Sequence, residues 1–492
     1  MQNKKEKTEI LLKKIKKVVE KSIIKNNFEK AMVAIAFIGD YLYQYNQFYT
    51  EDELEKYLCI ISSELKKQYQ LQAKFKSSQK IVVYDGFGLD TRGVILMYLN
   101  ALGLNNYQVV YITNKKKKDI IPTITDMCRK YNFEMKFINM DKYLTWTQQL
   151  SNLLFEIKPK AAFFYTTPND VSGIVAFHMF KGIIDRYLID LTDHAFWLGK
   201  SAADYFLGSR DMSASLQYFQ RGIEKQNMIK LGVNLIVNEY NDHTGLPFNP
   251  LITDYIFSGG SLYKTLGDSE NTYYKIIDYI LSKHGNIKFL YAGSGDNSEL
   301  KKIIEKYPNR AYQIEERKDF YYLIQNCKLY LNTYPMFGGM MMKYCGLAHK
   351  IPITLKHGND SDGLLLNQSK CKIEYFSYKE LINDVDKLLI DEQYRKEREE
   401  LLEGSVITEE RFKNNIKNLI EKHRTDYEHQ YVEIDTKSFR KEYYERFNYD
   451  NQMEAIVKKI NFSLIVDFPL AFIKYILKKK YKKFLKKEKK YD

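Results

Sequence analysis

The sequence has little that would staple, stiffen or anchor a chain. Its five cysteines, Cys59, Cys128, Cys327, Cys345 and Cys371, are scattered through 492 residues. They form no C-x-x-C pair and no Cys/His cluster, which excludes a zinc finger and a disulfide framework. A reducing compartment is the expected setting. Proline is scarce, at nine residues. No apolar run reaches the roughly 18–20 residues that a bilayer-spanning helix needs. The N-terminal stretch MQNKKEKTEILLKKIKKVVEK lacks the continuous apolar centre of a secretory signal. The body of the chain also lacks net charge. Of the formal +14, residues 1–25 carry +6, residues 474–492 carry +8, and residues 26–473 carry none. A nucleic-acid enzyme would spread its basicity across a groove in the folded body, so no nucleic-acid partner is expected.

What is present suits a multidomain globular protein. At roughly 100–200 residues per domain the length predicts two or three domains, and 45% hydrophobic residues suffice for large cores. Residues 1–75 read as a helical N-terminal extension. Within it, Thr50-Glu51-Asp52-Glu53 predicts a capping box, with Thr50 as the cap and Glu53 reaching back. Residues 76–248 then alternate short β-like runs (81–84, 109–112, 135–138, 161–165, 186–190) with helical stretches. Residues 249–425 repeat the pattern, with strand-like runs at 254–260, 287–292, 328–332 and 351–355. Such alternation predicts an α/β fold of two parallel sheets with crossover helices, hence two Rossmann-like domains facing across a cleft. The Asn, Asp, Gly and Pro residues of 241–250 mark the boundary. Further helices are expected over 426–461 and a basic amphipathic tail over 462–492.

Chemistry is most concentrated in the string from Asn332 to Leu355, which reads as strand, Gly-Gly turn, helix, loop and strand. Gly338 and Gly339 would let backbone approach a ligand closely. The N–H groups of Met340, Met341 and Met342 would point out of a helix start, a geometry that binds phosphate. An ordinary β-turn-α unit packed with methionine fits the same string. A second feature, Asp190 to Trp197, follows a strand and so places Asp193 and His194 at a carboxyl sheet edge, where α/β folds bind ligands. A histidine there suits proton transfer near neutral pH; a local turn cap is the plain alternative. Arg210 could face a leaving diphosphate.

The order "strand, Asn-Thr-Tyr-Pro, Gly-Gly, helix, Pro, strand" resembles the donor-binding half of GT-B glycosyltransferases. It is similar in particular to O-GlcNAc-transferase-like and retaining bacterial polysaccharide families. Gly293-Ser294-Gly295-Asp296 and Glu315-Glu316-Arg317 precede it in the family's order of glycine loop and base-recognition loop. The resemblance implies that Gly338, Gly339 and the amides of Met340, Met341 and Met342 hold a diphosphate. It implies that residues 314–317, including Glu316 and Arg317, border the base, and that Lys264 reaches a phosphate. Gly86 and Gly88, after the first strand, would face the cleft with Gly293. Where the family carries an acidic ribose-binding residue, seven positions before the Pro, this sequence has Cys345. Ribose is then held by another group, such as Glu316 or Asn332, or donor binding is weak.

The expectations for function follow. His194 and Asp193 are the catalytic candidates, as base or as sugar contact, with inversion or retention left open. The donor is a UDP- or GDP-linked sugar, with no cofactor and no metal, because Asp190 and Asp193 are not the D-x-D of metal-dependent transferases. The acceptor is a cell-surface polysaccharide or a lipid-linked glycan. A protein O-glycosyltransferase and a non-catalytic GT-B subunit supporting a partner transferase stand as alternatives. The tail predicts peripheral attachment to an anionic membrane surface, at the inner face of the cell membrane, with the chain otherwise cytoplasmic; a solvated lysine run is the plain alternative.

Overall fold

The computed structural model describes residues 2–45, 48–71, 75–87, 93–139, 141–190, 192–237, 243–357, 365–366 and 370–437, with isolated positions between 464 and 477. Three helices come first: α1 (Gln2–Ile24), α2 (Phe28–Tyr45) and α3 (Asp52–Gln68). A first α/β run follows, with β1 (Ile81–Asp85), α4 (Val94–Leu104), β2 (Val109–Thr113), α5 (Pro122–Lys130), β3 (Glu134–Phe137) and α6 (Tyr143–Ile157). It continues through β4 (Ala161–Tyr165), α7 (Val171–Met179), β5 (Asp185–Ile189), β6 (Tyr205–Gly208), α8 (Asp211–Arg221) and β7 (Met228–Lys230). The second run holds β8 (Tyr255–Gly259), α9 (Thr272–Lys283), β9 (Lys288–Ala292), α10 (Ser298–Lys306), β10 (Ala311–Ile314), α11 (Phe320–Asn326) and β11 (Leu329–Leu331). It ends with α12 (Gly339–Leu347), β12 (Pro352–Leu355), β13 (Glu374–Tyr375), α13 (Tyr378–Ile390), α14 (Glu392–Glu400) and α15 (Glu409–Lys422).

The strands form two sheets, ordered β3-β2-β1-β4-β5-β6-β7 and β10-β9-β8-β11-β12-β13. The strand pairs are parallel in both. Each domain begins in the middle of its sheet, winds to one edge, then crosses to the other side. That reversal opens a crevice at the carboxyl ends of the strands.

Side-chain alternation explains why residues 81–84 of β1 are apolar without interruption. Val82 and Tyr84 enter a core shared with α1, α2, α3, α6 and α7. Ile81 and Val83 point to the opposite face, into a core shared with α4 and α5. A parallel strand covered on both faces reads as a continuous hydrophobic run. The three N-terminal helices are therefore one layer of the first domain rather than an appendage.

Three further expectations change. Helix α15 belongs to the first domain, not the second. Its Phe412, Ile416, Leu419 and Ile420 join the core around α4, and Asn105 Nδ2 donates to the Lys413 carbonyl at 2.8 Å. The chain thus crosses back after α14. The N-cap of α3 is Glu51, whose carboxylate accepts the Leu54 N–H at 3.0 Å. Thr50 Oγ1 is buried without a hydrogen-bond partner among the described residues, and Glu53 pairs with Lys16 at 2.7 Å. Finally, the chain beyond α15 does not continue as helix through residue 435. It is held along the first domain by side chains: Asp211 Oδ1 accepts the Gln430 N–H at 3.0 Å and Ser215 Oγ the Val432 N–H at 2.9 Å.

Residues 438–463 and the basic run 478–492 lie outside the described residues. Between them, Leu464 is fully buried in the core that holds α1 and α2, and Asp467 pairs with Lys30 at 2.7 Å. Val466 and Leu477 are exposed. No helix among the described residues is long and apolar enough to cross a membrane.

Candidate functional site

The carboxyl ends of both sheets open onto one cleft of about 550 Å³ between the domains. From the first domain, the segment after β5 brings Asp190, Asp193 and His194, and the turn after β6 brings Arg210. From the second, the β8 turn brings Gly260 and Lys264, the β9 turn Gly293, and the segment after β10 Glu316 and Arg317. The turn between β11 and α12 closes the wall with Gly338, Gly339, Met340 and Met341.

Asp193 organises the first-domain side. Its carboxylate accepts Arg210 Nε at 2.6 Å and Nη2 at 2.7 Å, and His194 Nδ1 lies 3.2 Å from Oδ1. Burial alone would raise this carboxyl. Arg210 and His194 outweigh burial and hold it far below the usual carboxylate range. Asp190, three residues earlier, responds oppositely: burial, and then the charge of Asp193, push it up to about 6. Beneath both, buried Arg221 donates to the Asp193 carbonyl at 3.1 Å and stacks over Trp197. This fixes the loop that carries His194, whose ring is 31% exposed.

On the second-domain side the glycine turn is shaped by Asn332 from behind. Asn332 is buried, and its Oδ1 accepts the N–H groups of Gly338 at 2.7 Å and Thr333 at 3.0 Å. Its Nδ2 donates to Thr354 Oγ1 at 3.2 Å, so Asn332 positions the turn rather than facing the cleft. The Lys264 carbonyl accepts the Met336 N–H at 3.1 Å and ties the β8 turn to the same loop. The amides of Gly339, Met340 and Met341 have no partner among the described residues. Met342 differs: its N–H donates to the Gly338 carbonyl at 3.2 Å and its side chain is buried in the second-domain core.

Several expected features move. Gly338 sits at φ −98°, a conformation open to any residue. The glycines the cleft requires are Gly260, at φ 126°, and Gly293, where an added Cβ would lie 1.9 Å from the Gly260 carbonyl oxygen. Gly86 is not on the cleft; it is buried at the end of β1, its would-be Cβ 2.7 Å from Asp170 Oδ2. Gly88 lies outside the described residues. Arg317 borders the cleft, but its guanidinium holds Asp319 at 2.6 and 2.7 Å. Glu316 is exposed at the rim.

Cys345 is fully buried beside Cys327 and Tyr330, on the face of α12 turned from the cleft, and burial pushes its thiol well up. It takes no part in the site. The cleft face of α12 carries Lys343 instead, one helical turn after Gly339 and only 6% exposed. The sequence signal for Lys343 was its i+4 spacing from the second glycine of the turn. Among the described residues no cluster of His, Cys, Asp or Glu could hold a metal ion.

No protein-family model and no curated protein sequence matches this chain. Solved structures match it in fold. A variant of the Thermobaculum terrenum O-GlcNAc transferase superposes with a TM-score of 0.51 at 13% identity, over 88% of this chain and 82% of that one. The Anabaena protein HepE in complex with UDP-glucose gives 0.51 at 10% identity, over 70% and 99%. A Listeria monocytogenes protein described as a UDP-N-acetylglucosamine 2-epimerase gives 0.52 at 12% identity, over 72% and 100%. At such identities the likeness establishes architecture: two Rossmann-like domains across a cleft, the GT-B fold.

Proposed function

We propose that this GT-B chain is a glycosyltransferase that takes a sugar from a UDP- or GDP-linked donor and passes it to a polysaccharide or lipid-linked acceptor. One observation carries the reading. The amides of Gly339, Met340 and Met341, which have no partner among the described residues, line with Lys264 the same cleft as the Asp193–His194–Arg210 cluster. The first side suits a diphosphate and the second an acceptor hydroxyl.

In this reading the donor's diphosphate lies against Gly339–Met341, where oriented N–H groups and the helix dipole favour negative charge. His194, with Nδ1 held by Asp193, removes the acceptor's hydroxyl proton. The acceptor oxygen bonds to the anomeric carbon as that carbon's bond to the diphosphate breaks, and the nucleoside diphosphate leaves with its electron pair. Relatives of similar fold include an epimerase as well as transferases, so turnover decides the reaction class. The test is release of UDP or GDP from a panel of nucleotide sugars, with and without glycan and lipid-phosphate acceptors. Acceptor-dependent release supports the proposal. Nucleotide binding without release under any pairing would favour a non-catalytic subunit.

The basic ends support a second element of the proposal, docking on an anionic membrane surface. Lysines near such a surface gain on the order of 1 kcal/mol each, and the exposed Val466 and Leu477 offer apolar contacts. Removing 478–492 leaves the buried Leu464 and the Lys30–Asp467 pair in place. The truncated chain should move from the membrane fraction to the soluble fraction; unchanged fractionation would remove this element.

A further inference from the structure

We infer that the outward stripe of α1, Ile10-Lys14-Lys17-Lys21-Ile24, is a docking face for an anionic lipid surface and the folded half of a composite face whose other half is the basic run 478–492. The inference rests on the membrane element of the proposal above and names the side chains of the folded body that meet the headgroups.

Helix α1 has two rows of opposite character. Thr8, Leu12, Ile15, Val19 and Ser22 are buried and follow one another at helical spacing. Leu12, Ile15 and Val19 enter the core that they share with α2. The opposite row keeps the same spacing, and all of Ile10, Lys14, Lys17, Lys21 and Ile24 are exposed. Lys13 and Lys25, also exposed, flank it. Lys14, Lys17 and Lys21 have no ion-pair partner among the described residues, whereas Lys16 is committed to Glu51 and Glu53 beside α3. Glu9 and Glu20 stand seven residues before and four after Lys16, so they fall on the side turned to α3. Glu6, in line with the stripe, lies a turn before Ile10.

The segment that leads into the basic run is fastened to the same helix pair. Leu464 is buried in the core that holds α1 and α2, and Phe468 packs against it. Asp467 pairs at 2.7 Å with Lys30, in the first turn of α2 and close to the corner where α1 gives way to α2. Val466, Ile473 and Leu477 are exposed along that segment. Residues 1–25 and 474–492, which together hold the whole net charge, are thus tied to one layer of the first domain. The apolar side of α1 is spent on the core, so the stripe docks on headgroups by charge, with Ile10 and Ile24 as shallow contacts. Its lysines give up no ion pair in doing so. A nucleic acid would use the lysines alone; a lipid surface also takes the exposed Ile10, Ile24, Val466 and Leu477. The layer that carries the stripe covers β1, so docking holds against the surface the domain that carries His194.

The experiment is cosedimentation of the full chain with vesicles of phosphatidylcholine containing about one-third phosphatidylglycerol, and with phosphatidylcholine alone. The stripe variant K14Q/K17Q/K21Q neutralises exposed positions and leaves the core row of α1 intact. A control, K275Q/K301Q/K302Q, removes the same charge from exposed positions of α9 and α10 in the second domain. With 478–492 in place, the stripe variant should bind the anionic vesicles about 100-fold more weakly. The control and the charge-conserving K14R/K17R/K21R should bind like wild type, and added salt should release all of them. A stripe variant that binds like wild type, while removal of 478–492 abolishes binding, overturns the inference and keeps the tail as the anchor. Equal losses in the stripe variant and the control, or a loss in K14R/K17R/K21R, also overturn it. Wild-type binding that is equal on both vesicles overturns a face that works by charge. Wild type that binds neither vesicle, whether or not it binds duplex DNA, overturns the inference and the membrane element together.

Discussion

Replacing His194 with alanine is expected to slow sugar transfer by about 10²–10⁴-fold, the usual contribution of a positioned general base, while leaving UDP affinity unchanged. The separation follows from the architecture. His194 belongs to the segment after β5 in the first domain, whereas Lys264 and the amides of Gly339, Met340 and Met341 belong to the second. The ring's Nδ1 lies 3.2 Å from Asp193 Oδ1, which orients it at the cleft wall. Steady-state rates and UDP titration on the same preparation check the claim. A variant with unchanged turnover would remove His194 from the chemistry. A parallel loss of UDP affinity would make its role donor binding rather than proton transfer.

Asp193→Ala should cost folding stability as well as turnover, about 3–5 kcal/mol, because it leaves Arg210 without its buried counter-charge. Asp193 is 6% exposed and accepts two guanidinium hydrogen bonds. Its carboxyl is held below the usual range, so the stabilisation is present at neutral pH and is lost only as pH falls through that depressed value. Urea denaturation at pH 7 measures the loss. The double variant D193A/R210A should recover part of it, since it removes the stranded charge along with its partner. A double variant less stable than wild type by the full sum of the two single losses would show that the two residues act independently.

The parallel architecture was legible because its causes are local. Strands covered on both faces must be apolar throughout, and β1, β2 and β4 read that way. The position of α15 was not legible. Phe412, Ile416, Leu419 and Ile420 announce a buried face but not the domain that buries it. The register of α12 failed for a related reason. Counting back from Pro352 picked Cys345, but the loop between α12 and β12 shifts the phase, and counting forward from Gly339 finds Lys343. The Asp193–Arg210 pair joins residues on two adjacent strand ends, a proximity that only the sheet order creates. The glycine logic was right in kind and misplaced: the close backbone approach belongs to Gly293 against Gly260, while Gly338 needs no special conformation.

Amide hydrogen exchange of the full chain with and without saturating UDP tests the donor site most directly. UDP is predicted to protect the amides of Gly339, Met340 and Met341, which have no partner among the described residues, and to leave those of β1 and its following turn unchanged. Saturable UDP binding that protects other segments and not these three amides, or no binding at all, would contradict the account.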